Sequence, residues 1–263
     1  MVSDETQEEL IARRFFESLG CSVTRLPKIE GQPRADYRVQ DSANRYIVEV
    51  KGRGPDAEFA RQLREHGSAG TQHRIARTNT ISRQITEAAE QLEATDPNDT
   101  SSLRMIAFVA AGDDPDLQVD QLQRTIYGIV DLLKDASPRP IAVPCFYFTY
   151  SDFFRYRHVD GAVVLAPKGA RLCVNGLAER RGRLLASGLC SRLSASGAVT
   201  DSEAAERAGE AFIADTDLDR SDEDPILAYV RTKYGRPELL TFKPIKVRAA
   251  VNVPWESEQG GKV

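Results

Sequence analysis

The chain of 263 residues has little of what many enzyme chemistries need. Its three histidines, His66, His73 and His158, are too few for a histidine metal cage and offer little to a Ser-His-Asp triad. The four cysteines, Cys21, Cys145, Cys173 and Cys190, stand 17 or more residues apart and form no C-x-x-C pair. That spacing excludes a zinc knuckle or redox dithiol and leaves buried free thiols. No apolar run approaches the ~18 residues of a spanning helix. The first nine residues are acidic where a signal peptide is basic and then apolar. A soluble cytoplasmic protein without a membrane partner is the expectation. No G-x-x-x-x-G-K-[ST] occurs, and Gly52-x-Gly54 runs into Pro55 without the third glycine of a dinucleotide fingerprint. Carboxylates and lysine remain as the groups on which chemistry would run.

What is present is ordinary globular composition, 41% hydrophobic and 28% charged, with a net charge of −4. The charge is segregated: residues 21–83 carry +5 and residues 137–200 carry +6, inside an otherwise acidic chain. Brought together by the fold, these stretches make a phosphate-facing side; left apart, they decorate solvated faces. Of the 35 basic residues only 8 are Lys, and Lys28 and Lys51 are the only two before Lys134.

Periodicity predicts an amphipathic helix over 8–19, stopped at Gly20. A three-strand meander over 21–26, 35–39 and 45–50 follows. The basic stretch from Gly52 to Thr80 reads as a long mobile connection. Residues 81–92 predict a helix, 103–110 a buried strand, 119–133 a helix and 141–150 a second buried strand. The last strand–helix–strand unit is expected to form a parallel pair by a right-handed crossover. Beyond Ser151 the pattern predicts a hairpin of 161–166 with 171–174, a basic helical stretch over 177–193 and an acidic, solvated helix within 201–224. The aromatic run Phe146, Tyr147, Phe148, Tyr150, Phe153, Phe154 and Tyr156 alternates as core. Arg155 and Arg157 beside it keep a nucleic-acid groove in view. The fold class is α/β: a core at 1–150, a C-terminal α+β extension at 151–253 and a flexible tail at 254–263.

The informative residues are Asp36, Glu49 and Lys51. Side chains alternate along a strand, which puts Glu49 and Lys51 on one face and Val50 on the other. If the second and third strands pair antiparallel, Asp36 lies beside Glu49. Two adjacent carboxylates suit a hard, oxygen-seeking cation such as Mg²⁺, with Mn²⁺ as a substitute. Lys51 would then orient a water and stabilise charge on a phosphate. A salt bridge from Lys51 to Glu49 or Asp36 at a strand edge satisfies the same pattern without any chemistry.

Asp36 followed by Glu49-Val50-Lys51, behind an opening helix that carries Glu9, resembles the PD-(D/E)XK nuclease superfamily, the restriction-endonuclease-like fold, and its Mrr-type branch most of all. The resemblance covers about residues 1–150. It implies that Asp36 and Glu49, with the Val50 backbone carbonyl, bind the metal and that Lys51 is the catalytic lysine. Glu9 would be the extra helix acid, with Glu8 one helical step away. Gln84 matches a polar position that many members keep near the site, and Gln91 lies on the same stripe. The Q-x-x-x-Y form is absent, since position 88 is Ala88, and Ala35-Asp36 replaces the literal Pro-Asp. The implied activity is Mg²⁺-dependent hydrolysis of DNA, with RNA as a further candidate, in prokaryotic defence or repair. Arg53, Arg61, Arg64, Arg74, Arg77, Arg155 and Arg157 would grip phosphates. A second copy or a companion protein is the expected protein partner. The alternative is a catalytically silent module of this fold that binds nucleic acid or assembles a larger complex.

Overall fold

The computed structural model describes residues 5–54, 61, 65, 69–74, 76–134, 141–242 and 247–252, with 69–74 and 247–252 described as backbone. The chain opens with helix α1, Gln7–Ser18. Thr6 caps it: its hydroxyl accepts from Glu9 N–H at 3.2 Å, and Glu9 Oε2 accepts from Thr6 N–H at 3.3 Å. Ala12 and Phe16 form its buried stripe. Three antiparallel strands follow, β1 (Ser22–Arg25), β2 (Tyr37–Gln40) and β3 (Arg45–Arg53). Strand β4 (Ala69–Arg74) stands apart and pairs antiparallel with β13 (Val247–Asn252).

Helix α2 (Asn79–Thr95) is capped by Thr78 and buries Ile81, Ile85, Ala88, Ala89 and Leu92, the apolar positions of the sequence pattern. It leads into β5 (Ser102–Ala110), buried throughout and parallel to β3. Helix α3 (Pro115–Tyr127) ends at Gly128, whose φ of +59° gives the left-handed C-terminal stop. Strands β6 (Val130–Leu133) and β7 (Ala142–Phe146) then pair antiparallel. After the short helix α4 (Asp152–Arg155), the hairpin of β8 (Gly161–Ala166) and β9 (Gly169–Val174) returns to the main sheet, where β8 lies parallel to β5. The remaining elements are α5 (Arg181–Leu185), α6 (Gly188–Ser194), β10 (Val199–Thr200), α7 (Ser202–Arg207), β11 (Phe212–Ile213), α8 (Glu223–Tyr234) and β12 (Leu240–Phe242).

The result is a mixed α/β architecture. The main sheet has seven strands in the order β1-β2-β3-β5-β8-β9-β10, and a four-stranded sheet runs β11-β7-β6-β12. Alternation along the central strands feeds two cores. Ile47, Ile106, Phe108, Ala162 and Val164 pack against α2 and α3. Val48, Val50, Met105, Ala107 and Val163 pack against α1, α5 and α6 on the opposite face. A third core, with Leu132, Val143, Phe212, Ile226 and Val230, joins the small sheet to α8. All four cysteines are free and buried. Among the described residues no helix is long and apolar enough to cross a membrane.

Several expectations are corrected here. The strand expected at 141–150 does not pair with β5; residues 161–166 take that place, and β7 belongs to the small sheet. The helix expected over 119–133 stops at Tyr127, because Gly128 turns the chain into β6. A division at residue 150 would cut the main sheet, since β8, β9 and β10 are three of its seven strands. The basic stretch 177–193 forms two short helices rather than one, and the acidic stretch 201–224 holds a helix and a strand. Most of the connection at 53–77 and the whole tail at 254–263 lie outside the described residues, although β4 occupies part of the former.

Candidate active site

The β2–β3 register pairs Tyr37 with Val48, and one step further along Asp36 stands opposite Glu49. The Asp36 N–H donates to Val48 O at 3.2 Å. In return the Val50 N–H donates to Asp36 Oδ2 at 2.9 Å. Glu49 and Lys51 share the face toward α2, while Val50 packs into the core on the α1 side. Lys51 Nζ lies 2.9 Å from Glu49 Oε1 and donates to Gln91 Oε1 on α2 at 2.7 Å. The structure therefore brings Asp36, Glu49 and Lys51 together, with the salt-bridge alternative formed in the same place.

That ion pair leaves the site electrostatically incomplete. Glu49 is 2% exposed and Asp36 8%. Burial raises the pKa of both carboxyls, and the charge of Asp36 pushes Glu49 further, to about 8, against the opposing pull of Lys51. Glu49 Oε2 is buried with no hydrogen-bond partner among the described residues. A buried, unsatisfied carboxylate oxygen beside a second carboxylate is expensive unless a cation or proton sits there.

The residues present fit a small divalent cation. Among the described residues no group of three or more His, Cys, Asp or Glu side chains is placed to hold a metal ion. Asp36, Glu49 and the Val50 backbone would thus supply part of the shell. Mg²⁺ characteristically keeps several waters and needs only one or two carboxylates.

These groups line a cleft of about 580 Å³, walled by Glu8, Glu9, Lys28, Ile29, Arg34 and Gln84 among others. Glu9 faces it, but its carboxylate is held by Arg25 at 2.8 Å and Lys28 at 3.1 Å besides the Thr6 N–H. Glu8 packs on Gly52, where an added Cβ would lie 2.4 Å from Glu8 Cγ. Gln84 Nε2 donates to Gly52 O at 3.0 Å, and its Oε1 is buried without a partner among the described residues.

The arginines expected to grip phosphate are dispersed. Arg53 approaches Gln121 beside the α3 N-terminus, and Arg61 pairs with Glu65. Arg77 donates to Tyr150 O, Asn79 Oδ1 and Ser82 Oγ. Arg155 lies over the Tyr156 ring, and Arg157 lies over Phe154 and pairs with Asp217. None of these lines the Asp36 cleft. Arg64 and the Arg74 side chain lie outside the described residues. The aromatic run is mostly core: Phe146, Tyr147, Phe148 and Phe153 are buried, while Tyr150 is exposed.

Sequence reasoning missed the wall built by residues 27–34, which supplies Lys28, Ile29 and Arg34 to the cleft. The signal was there in Lys28, one of two lysines in the first half of the chain, and in the prolines at 27 and 33 that bracket it. A larger groove of about 860 Å³, lined by Ile11, Phe15, Val119 and Leu165, lies elsewhere. Its Lys168 and Asp116 are paired with each other.

No family model and no curated protein matches the chain. Among solved structures, Pyrococcus furiosus SfsA in complex with Ca²⁺ is similar at 17% identity, with a TM-score of 0.21. The match covers 44% of this chain and 50% of that one, so this chain spans half of that structure's length.

Proposed function

We propose that this chain is a divalent-metal-dependent nuclease that hydrolyses DNA phosphodiester bonds on a restriction-endonuclease-like core. The observation that carries the reading is the buried Asp36–Glu49 pair, with Glu49 Oε2 unpartnered among the described residues and the Lys51 ammonium at 2.9 Å from the other oxygen. Asp36 braces the Val50 N–H, but that bond does not require a second buried carboxylate opposite it.

In this reading Asp36, Glu49 and the Val50 carbonyl would hold Mg²⁺ or Mn²⁺. Bound there, the ion supplies Lewis-acid polarisation of a phosphoryl oxygen and a more acidic water. Asp36 is fixed for its part by the Val50 N–H, and Gln91 holds the Lys51 side chain against the site. Lys51 contributes positive charge where negative charge develops on the phosphate. Glu9 anchors Lys28 and Arg25 at the rim, which suits a positioning part better than a ligand part.

The test is cleavage of plasmid, linear duplex, single-stranded DNA and RNA with Mg²⁺ or Mn²⁺, beside EDTA, Lys51→Ala and Glu49→Gln. Metal-dependent cutting lost in both variants, with folding kept, supports the reading. A catalytically silent binding module is the second reading, favoured by the direct Glu49–Lys51 ion pair. DNA binding without cutting of any substrate would select it and direct attention to a second copy or a companion protein.

A further inference from the structure

The wall of the cleft formed by residues 27–34 is a braced turn. Leu26 N–H donates to Asp36 O at 2.8 Å, closing the base of the turn at the candidate metal ligand itself. Gln32 N–H donates to Ile29 O at 3.1 Å, and Gly31 adopts φ +75° at the third position, as a type II turn requires. Pro27 and Pro33 flank the turn and restrict its backbone further. This rigid support holds up an apolar tip: Ile29 is 44% exposed. Among the described residues the other exposed large apolar side chains, Ile141, Tyr150, Leu218, Leu240 and Phe242, do not line the cleft, whereas Ile29 does.

Among the described residues the basic groups lining the cleft are also few. Lys28, Arg34 and Lys51 line it, and Lys28 and Lys51 already face Glu9 and Glu49. A duplex gripped along both backbones calls for many phosphate contacts. A single strand is held by a basic groove together with side chains on which its unpaired bases rest. Branched apolar side chains on rigid supports serve nucleic-acid-binding proteins as wedges that unstack a base step.

We propose that Ile29 is such a wedge, packing on the base beside the scissile phosphate, and that the substrate is DNA unpaired at the cut: a flap, overhang or bubble. This deepens the nuclease reading and rests on it. Unpaired DNA lets a phosphate descend past the turn to the buried acids while its base stays against Ile29 at the rim. An intact duplex would have to surrender a base pair to do so.

The experiment uses full-length protein and oligonucleotides carrying 2-aminopurine beside the fork of a splayed duplex, with intact duplex and single strand as companions. Fluorescence is read in EDTA, and cutting is read separately in Mg²⁺. The wild type is expected to raise 2-aminopurine fluorescence several-fold on the fork and to cut fork and single strand at least tenfold faster than intact duplex. Ile29→Ser, at an exposed turn tip, should lose the fluorescence rise and about tenfold in fork cutting, and Ile29→Leu should keep both. An Ile29→Ser protein that matches wild type in both readouts overturns the proposal, as does equal cutting of intact duplex by wild type. Absence of cutting with a fluorescence rise that still depends on Ile29 sinks the nuclease reading and leaves the wedge standing. Absence of binding to every oligonucleotide overturns both.

Discussion

The backbone N–H of Val50 donates to the Asp36 carboxylate at 2.9 Å, which ties the end of β3 to the acid facing it across the ladder. The same strand carries Glu49 and Lys51, and this one bond sets where two carboxylates meet. Asp36→Ala should therefore do two separable things. It should abolish metal-dependent cutting, by at least about 100-fold. It should also cost about 1–3 kcal/mol of stability by leaving a buried N–H unpaired. Asp36→Asn keeps an acceptor oxygen for Val50 and should lose the activity with a smaller stability cost. Urea unfolding beside plasmid cleavage checks this; equal destabilisation by both variants would argue against the brace.

A carboxyl outside the cleft adds its own pH dependence to the stability. Asp152 is buried and accepts from Ser82 Oγ at 2.8 Å, while its other oxygen has no partner among the described residues. Burial raises its pKa from 3.8 to about 6, against the hydrogen bond of Ser82 and the charges of Arg77 and Arg155. The folded chain thus holds this proton more tightly than the unfolded chain. The associated stability is fully present below about pH 4 and is lost as pH rises through 6, on the order of 2–3 kcal/mol at most. Asp152→Asn should reduce the slope of the thermal-unfolding profile across that window, the part due to Glu49 remaining. An unchanged slope would count against the raised pKa.

Gly52 should tolerate no side chain while Glu8 is in place. Its added Cβ would meet Glu8 Cγ at 2.4 Å and the Val109 carbonyl at 3.3 Å. Gly52→Ala is expected to cost about 1–3 kcal/mol through overpacking. Glu8→Ala alone should be mild, and the double variant should recover most of the loss. A double-mutant cycle in denaturant measures the coupling, and strict additivity would contradict the contact.

Cutting the chain after residue 150 should abolish folding. The truncation removes β8, β9 and β10, leaving the fully buried β5 as a bare sheet edge, and it removes Asp160, which accepts from Arg104 N–H at 2.7 Å. In the full chain, Asp160→Ala should cost about 1–3 kcal/mol, because the buried Arg104 N–H loses its acceptor while Arg180 keeps only the His158 carbonyl among the described residues. Circular dichroism of the fragment and denaturant unfolding of the variant are the measurements. A cooperatively folded 1–150 fragment would show that the first half is self-sufficient.

The parts of this molecule legible in its sequence are those specified locally. Ile81, Ile85, Ala88, Ala89 and Leu92 mark α2 because helical periodicity puts them on one face. Glu49 and Lys51 share a face by strand alternation alone, and their meeting with Asp36 needed only a short antiparallel return. What was illegible depends on distant pairing. Residues 142–146 and 161–166 are both short and apolar, and nothing within either segment says which one lies beside β5. Gly128 did carry a local signal for ending α3, but the apolar run Val130, Leu132 and Leu133 continues the helical pattern closely enough to hide it. The cleft wall was missed because Ile29 and Lys28 matter through their position over the acids rather than through any motif.

The parallel pairing of β5 with β8 has a consequence for the order in which the chain folds. Arg104 and Asp160 meet across a separation of 56 residues, and that stretch contains the β6–β7 hairpin. Closing so long a loop is entropically unfavourable and slows folding, whereas the hairpin connection is only the eight residues 134–141. Once formed, the hairpin shortens the free chain that remains to be gathered. Amides of β6 and β7 should accordingly gain exchange protection before those of β8 during refolding, with the centre of the main sheet the last part to become protected.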